Sequence, residues 1–256
     1  MLYRLILLFS FFIFTQNAIA SPLENRLQQY PQWNSKPPVK VAKGDLHYPQ
    51  WMAGTWEAES ILTEQIAPLA PEIVTPGFED NQQYVDKSIK FLVRFGSQYP
   101  TPKPKNFFSL SNNNKQQDYI VADRSFNGEN IAAAYLGTNN VYKVKIDPEN
   151  PNKQITLLKG DRRLISTITG RASEIPAPDR FITTEVTKQL FRSPERIYLN
   201  EVETTSDYHL REPGKIEAEQ ITAIYLSPQD PDYFKASDRP VAIYRYQLSL
   251  KRTSSK

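Results

Sequence analysis

Apolar and polar residues alternate along much of this chain. Ile89, Phe91, Val93 and Phe95 interleave with Lys90 and Arg94, and Tyr142, Val144 and Ile146 do the same around Lys143 and Lys145. A two-residue period sends successive side chains to opposite faces, so each run predicts a half-buried strand. Strand-like runs also cover Thr55–Leu62, Tyr119–Asp123, Ile155–Lys159, Arg162–Thr169, Arg180–Phe191, Arg196–Tyr208, Ile216–Leu226 and Val241–Arg252. Gly160-Asp161 between two of them is a strong two-residue hairpin turn. Proline-rich connections fill Thr63–Lys87 and Tyr99–Asn114. One helix interrupts the pattern. Asn127 can cap Gly128–Leu136, Gly137 can end it, and Phe126 with Ile131 can staple its start.

About ten strands joined largely by short loops predict an all-β domain. An antiparallel up-and-down barrel with a short mid-chain helix disposes of the edge strands best. A β-sandwich is the alternative. Before the strands, residues 21–46 read as an extended arm. Within it Pro22–Tyr30 can form about two helical turns, with Leu23, Leu27 and Tyr30 on one side. Tyr30-Pro31-Gln32-Trp33 recurs as Tyr48-Pro49-Gln50-Trp51, two aromatic plugs for one apolar surface.

The first twenty residues have a different character. Arg4 precedes the apolar run Leu5–Phe14, and Ala18-Ile19-Ala20 supplies the small-x-small pattern of signal-peptide cleavage. The run is too short for the roughly 20 apolar residues of a membrane span. Residues 1–20 therefore predict an export signal, with residues 47–256 as a single β domain outside the cytoplasm.

Composition narrows the chemistry. There is no cysteine among 256 residues, which removes disulfides, thiol nucleophiles and Cys-type metal sites. The two histidines, His47 and His209, cannot make a three-histidine metal centre. A net charge of +3 with scattered basic residues gives no nucleic-acid footprint. No cofactor motif is present, and nothing points beyond a monomer.

Gly54-Thr55-Trp56 opens the first long strand and resembles the G-x-W signature of lipocalins and fatty-acid-binding barrels. That resemblance implies a Trp closing the barrel floor with a basic residue of the last strand packed across it. Arg252 is in phase with Tyr244, Tyr246, Leu248 and Leu250 and is the expected partner of Trp56. The segments Tyr48–Glu57, Val121–Gly128 and Ala134–Gly137 also resemble a family of exported proteins of cyanobacteria and chloroplast thylakoid lumens, which implies a thylakoid lumen or periplasm location, photosynthetic-membrane surroundings and no known reaction.

Candidate ligand contacts are Trp56, Phe91, Tyr119, Asp123, Arg124, Tyr244, Tyr246 and Arg252. Aromatics at inward strand positions, Tyr225 and Phe95 included, can fill the core or line an apolar pocket. Arg124 can grip a carboxylate or phosphate at the barrel mouth. Alternatively, the Asp123 cluster is an ion pair and helix cap. Glu201, Glu203 and Asp207 are expected to face solvent. His209 beside Asp207 could serve a serine such as Ser125, but no G-x-S-x-G elbow presents one. The leading expectation is a non-enzymatic binder of a lipid or pigment, with a cavity above about 300 Å³. A protein that docks on membrane-complex subunits through its arm, and a hydrolase, are the alternatives.

Overall fold

The computed structural model describes residues 20–98 and 119–253. The export-signal reading of residues 1–20 and the Tyr99–Asn114 connection fall almost entirely outside the described residues. The short helix α1 (Pro22–Gln28) and strand β1 (Lys40–Val41) come first. The long strands β2 (Gly54–Ile66) and β3 (Ser88–Gln98), the short β4 (Tyr119–Ala122) and helix α2 (Arg124–Leu136) follow. The chain then meanders through β5 (Val141–Asp147), β6 (Asn150–Leu158), β7 (Arg162–Ala177), β8 (Arg180–Arg192), β9 (Ile197–Glu212) and β10 (Lys215–Leu226). A four-residue helix α3 (Tyr233–Ala236) precedes the last strand, β11 (Ala242–Arg252).

The strands form one curled antiparallel sheet in the order β4-β3-β2-β11-β10-β9-β8-β7-β6-β5, with β1 added against β7. This is the expected up-and-down arrangement and not a sandwich. The pairing of β2 with β11 joins the first long strand to the last. Among the described residues the sheet stays a half-barrel, because β4 and β5 terminate the path without pairing to each other.

Helix α2 connects β4 to β5 and packs on both β3 and β5. It treats the free edge of β5 as a neighbouring strand would. Ser125 donates to the Val144 carbonyl at 3.1 Å, and the Val144 N–H donates to Glu129 Oε1 at 3.3 Å. An otherwise unpaired edge is thereby satisfied by helix side chains. Gly128 permits the approach, since a Cβ there would stand 2.9 Å from Val144 Cγ1.

The helix starts earlier than its sequence suggests. Asp123 is the N-cap, accepting from the Phe126 N–H at 3.0 Å, and Arg124 is already helical. Asn127 accepts instead from the Arg94 N–H at 2.7 Å, tying the helix to β3. Gly137 ends α2 at φ 85°, as expected. Gly160 and Asp161 both have positive φ (79° and 53°), the backbone of the predicted hairpin turn.

Strand alternation gives the sheet two differently covered faces. Trp56, Ala58, Val93, Phe95, Phe181, Ile216 and Leu250 form the inner core, which Tyr48 and Trp51 join. Ile221, Ala223, Tyr225 and Ile243 form an outer cluster under the arm, sealed by Trp33 with Leu27 and Tyr30. The two aromatic repeats therefore plug opposite faces and not one surface. Tyr225 lies under the arm and not inside the barrel.

The arm is bound down along its length. Arg26 reaches Glu203 at 2.7 Å and Tyr225 at 2.8 Å, and its guanidinium lies 3.9 Å from the Trp33 ring centre. Lys36 pairs with Glu201, and Glu24 with Arg180, which also holds Asp207 at 2.8 Å. Gly170 leaves room for Val39, whose Cγ2 would stand 2.5 Å from an added Cβ. These contacts correct the expectation that Glu201, Glu203 and Asp207 face solvent: Glu203 is fully buried. A charge in that position survives burial only because a cation and two hydroxyls, from Tyr225 and Thr205, meet it there.

Candidate functional site

The inner face can be followed from floor to mouth by strand register. On the floor, Trp56 lies opposite Arg252 on one side and Val93 on the other. The Arg252 guanidinium carbon sits 4.6 Å from the Trp56 ring centre, so the pairing expected from phase is present. Trp56 Nε1 donates to the Met52 carbonyl at 2.8 Å, and Arg252 donates to the Trp51 carbonyl at 3.0 Å. Gly54, at φ 120°, places its missing side chain 3.5 Å from the same guanidinium. A side chain there would be both strained and crowded.

Above the floor the space between sheet and helix is hollow. An inner chamber of about 270 Å³ lies between Ala58, Phe91, Val93, Leu248 and Leu250 of the sheet and Ile131 and Tyr135 of α2. An outer chamber of about 250 Å³ follows at Leu62, Tyr84, Lys87, Ile89, Leu136 and Tyr244. Ser60, Tyr135 and Tyr246 line both. The Tyr135 hydroxyl lies 3.4 Å from Ser60 Oγ, so this pair forms the partition between the two chambers.

The polar groups of the inner chamber are uncharged: Ser60, Tyr135, Tyr208, Gln220, Thr222 and Tyr246. Burial, which disfavours a phenolate, holds Tyr208 and Tyr246 above the ordinary tyrosine range. Both hydroxyls therefore keep their protons at neutral pH and can donate.

Of the eight residues singled out in the sequence, Phe91 and Tyr246 line the inner chamber, Tyr244 and Tyr246 the outer one, and Trp56 with Arg252 the floor. Tyr119 is not among the lining residues and stacks on His47 at 4.1 Å. Asp123 caps α2 and pairs with Arg94 at 2.7 Å. Arg124 binds Asp45 at 3.2 Å and approaches Glu185 at 3.5 Å, and Arg171 binds the same Glu185 at 2.7 Å. Two carboxylates and two guanidiniums close this network, and Asp123 and Arg124 also border an open groove of about 360 Å³ with Asp45 and Ser125, apart from the two chambers. The ion-pair and helix-cap alternative for the Asp123 cluster is the one the geometry realises.

Sequence reasoning missed Ser60, Tyr135, Tyr208, Gln220 and Thr222. Parity would have found four of them. Once Trp56 is placed inward, Ser60 follows, and register across β11 and β10 carries the same face to Gln220, Thr222 and Tyr208. Tyr135 had a weaker signal, its spacing of one helical turn from Ile131.

His209 lies 3.2 Å from Asp207, on the outer face and across from Glu217. Ser125 gives its hydroxyl to Val144 on the opposite side of the sheet. The two do not form a nucleophile–base pair.

Residues 40–254 match the family described as a domain of unknown function, DUF6816. The chain belongs to that family. No curated protein and no solved structure matches it. The DUF6816 match opens at Lys40, the first residue of β1, and runs past Arg252. It therefore takes in the whole sheet, α2 and every chamber residue, while α1 and Arg26 precede it. Among the described residues no helix is long and apolar enough to cross a membrane.

Proposed function

We propose that this protein is an exported, non-enzymatic binding protein that holds a small hydrophobic molecule, a lipid or pigment, between α2 and the inner face of its half-barrel. The observation that carries this reading is the pair of adjoining chambers of about 270 and 250 Å³ above the Trp56–Arg252 floor. Each falls just under the roughly 300 Å³ at which ligand sites usually begin. They adjoin at Ser60, Tyr135 and Tyr246, which line both. Apolar walls supply the driving force, and helix α2 covers them with side chains that are only partly buried. The leader pattern and the resemblance to lumenal and periplasmic proteins support export to a thylakoid lumen or periplasm.

Less of the arm is free to serve the docking alternative, because Arg26 and Trp33 are buried against the protein's own sheet. The test is mass spectrometry and absorbance on the mature protein purified gently from its own compartment. A stoichiometric lipid or pigment is expected. An empty protein that co-purifies with membrane-complex subunits would overturn the reading in favour of docking.

A further inference from the structure

Resting on that reading, we infer that the cargo is uncharged: an apolar molecule bearing a hydroxyl, carbonyl or ether oxygen and no carboxylate, phosphate or ammonium. The inner chamber sets three tyrosine hydroxyls, of Tyr135, Tyr208 and Tyr246, together with the Gln220 amide and the Thr222 and Ser60 hydroxyls, among aliphatic and aromatic walls. These groups can each pair with a neutral oxygen, and none can neutralise an ion. A buried charge without a counter-charge is far costlier than a buried hydroxyl with a hydrogen bond.

The nearby ionic groups reinforce the selection. Glu185 acts electrostatically on Tyr208, so a negative charge is felt there. Both nearby guanidiniums, Arg124 and Arg171, are already bound to Glu185, and Arg124 to Asp45 as well. Lys87, the one cation among the residues lining either chamber, is exposed at the outer one, where water and salt screen it. An incoming carboxylate would compete with those bonds. An incoming ammonium would compete with the same guanidiniums for Glu185. A neutral oxygen disturbs neither.

Binding of dodecanol, dodecanoate and dodecylammonium to the mature protein, by calorimetry at neutral pH, tests the inference. The three probes share a tail and differ in head-group charge. Dodecanol is expected to bind at least about tenfold more tightly than either ion, given the penalty for burying an unpaired charge. Equal or tighter binding by either ion would overturn the inference while leaving a hydrophobic-cargo protein. Failure of all three to bind would overturn the reading beneath it. Gln220→Lys places a cation in the chamber wall and should shift preference toward dodecanoate. If that variant folds by circular dichroism and keeps the original order, the chamber is not where the head group is read.

Discussion

Strand β9 carries Glu203 on one face and Tyr208 on the other, and the two environments differ in kind. Beneath the arm, Glu203 is fully buried with Arg26, Tyr225 and Thr205 bonded to it. Beneath α2, Tyr208 borders a hollow lined by neutral groups. Both faces hide polar atoms, but by different means. A close ion pair fixes the position of an added segment, because each charge is worthless to the fold without the other. Neutral hydroxyls around a void fix nothing by themselves and leave a surface that can accept a partner. Where the arm is seated the outer face is thus built as a permanent seam, beside an open polar groove of about 730 Å³ among Glu24, Arg180, Asp207 and His209. The inner face is built as an occupiable space with neutral walls.

The sharpest way to break this contrast is to strip the outer seam of one charge. Glu203→Ala leaves Arg26 buried and unpaired, which is expected to cost about 3–5 kcal/mol, read as a lower urea midpoint at unchanged slope. Replacing both partners, with Arg26→Met and Glu203→Leu, should recover most of the loss, since a buried pair exchanged for packed apolar groups is close to neutral. A loss below about 1 kcal/mol for the single variant, a size typical of exposed pairs, would mean that the arm is not seated on the sheet in solution.

The inner face is probed through the helix that covers it. Gly128→Val drives a branched side chain into Val144 and Gln154, where even a Cβ would meet atoms at 2.9 Å. Overpacking of this kind costs about 1–3 kcal/mol. Amide exchange should accelerate at Val144, whose N–H is held by Glu129, and stay unchanged at the arm. Acceleration across the whole molecule would show that α2 is part of the fold's foundation and not a cover.

A smaller effect is expected at the floor. Arg252→Gln keeps a donor near the Trp51 carbonyl and removes the cation over Trp56. The expected loss is about 0.5–1 kcal/mol, the range for exposed cation–π pairs, with a shift in Trp fluorescence. No change in either would make the floor pairing a coincidence of register.

These regions were unequally legible in the sequence. The strands were, because burial of one face imposes a two-residue period on Ile89–Phe95 and Val141–Ile146. The Trp56–Arg252 pair was too, since phase along β11 fixes which basic residue can reach the floor. Glu203 was not. Its neighbours alternate like those of a solvated strand, and its partner lies 177 residues earlier in the chain. The chamber was half legible, because parity identifies inward residues but not whether they meet across the interior. The start of α2 was misread for a local reason: Asp123 and Asn127 are both good caps, and the choice between them was made by β3, where Arg94 takes Asp123 through its side chain and Asn127 through its backbone.

That choice gives the weakest effect and a distinctive one, because it depends on pH. Burial works against the charge of Asp123, but the Phe126 N–H and the Arg94 guanidinium outweigh it and hold the carboxyl below the ordinary aspartate range. A carboxylate with a lowered folded pKa contributes stability above its unfolded value, and that contribution fades as pH falls through the folded one. The wild type should therefore lose the cap's contribution below about pH 4, near the ordinary aspartate value. Asp123→Asn can still accept from Phe126 but cannot pair with Arg94 as an ion. The variant should be slightly less stable than wild type at pH 7, and the two should converge in acid, as followed by thermal melts across that range. Parallel curves would mean that Asp123 serves as a cap alone, and that the ion pair with Arg94 contributes nothing to holding α2 over the chamber.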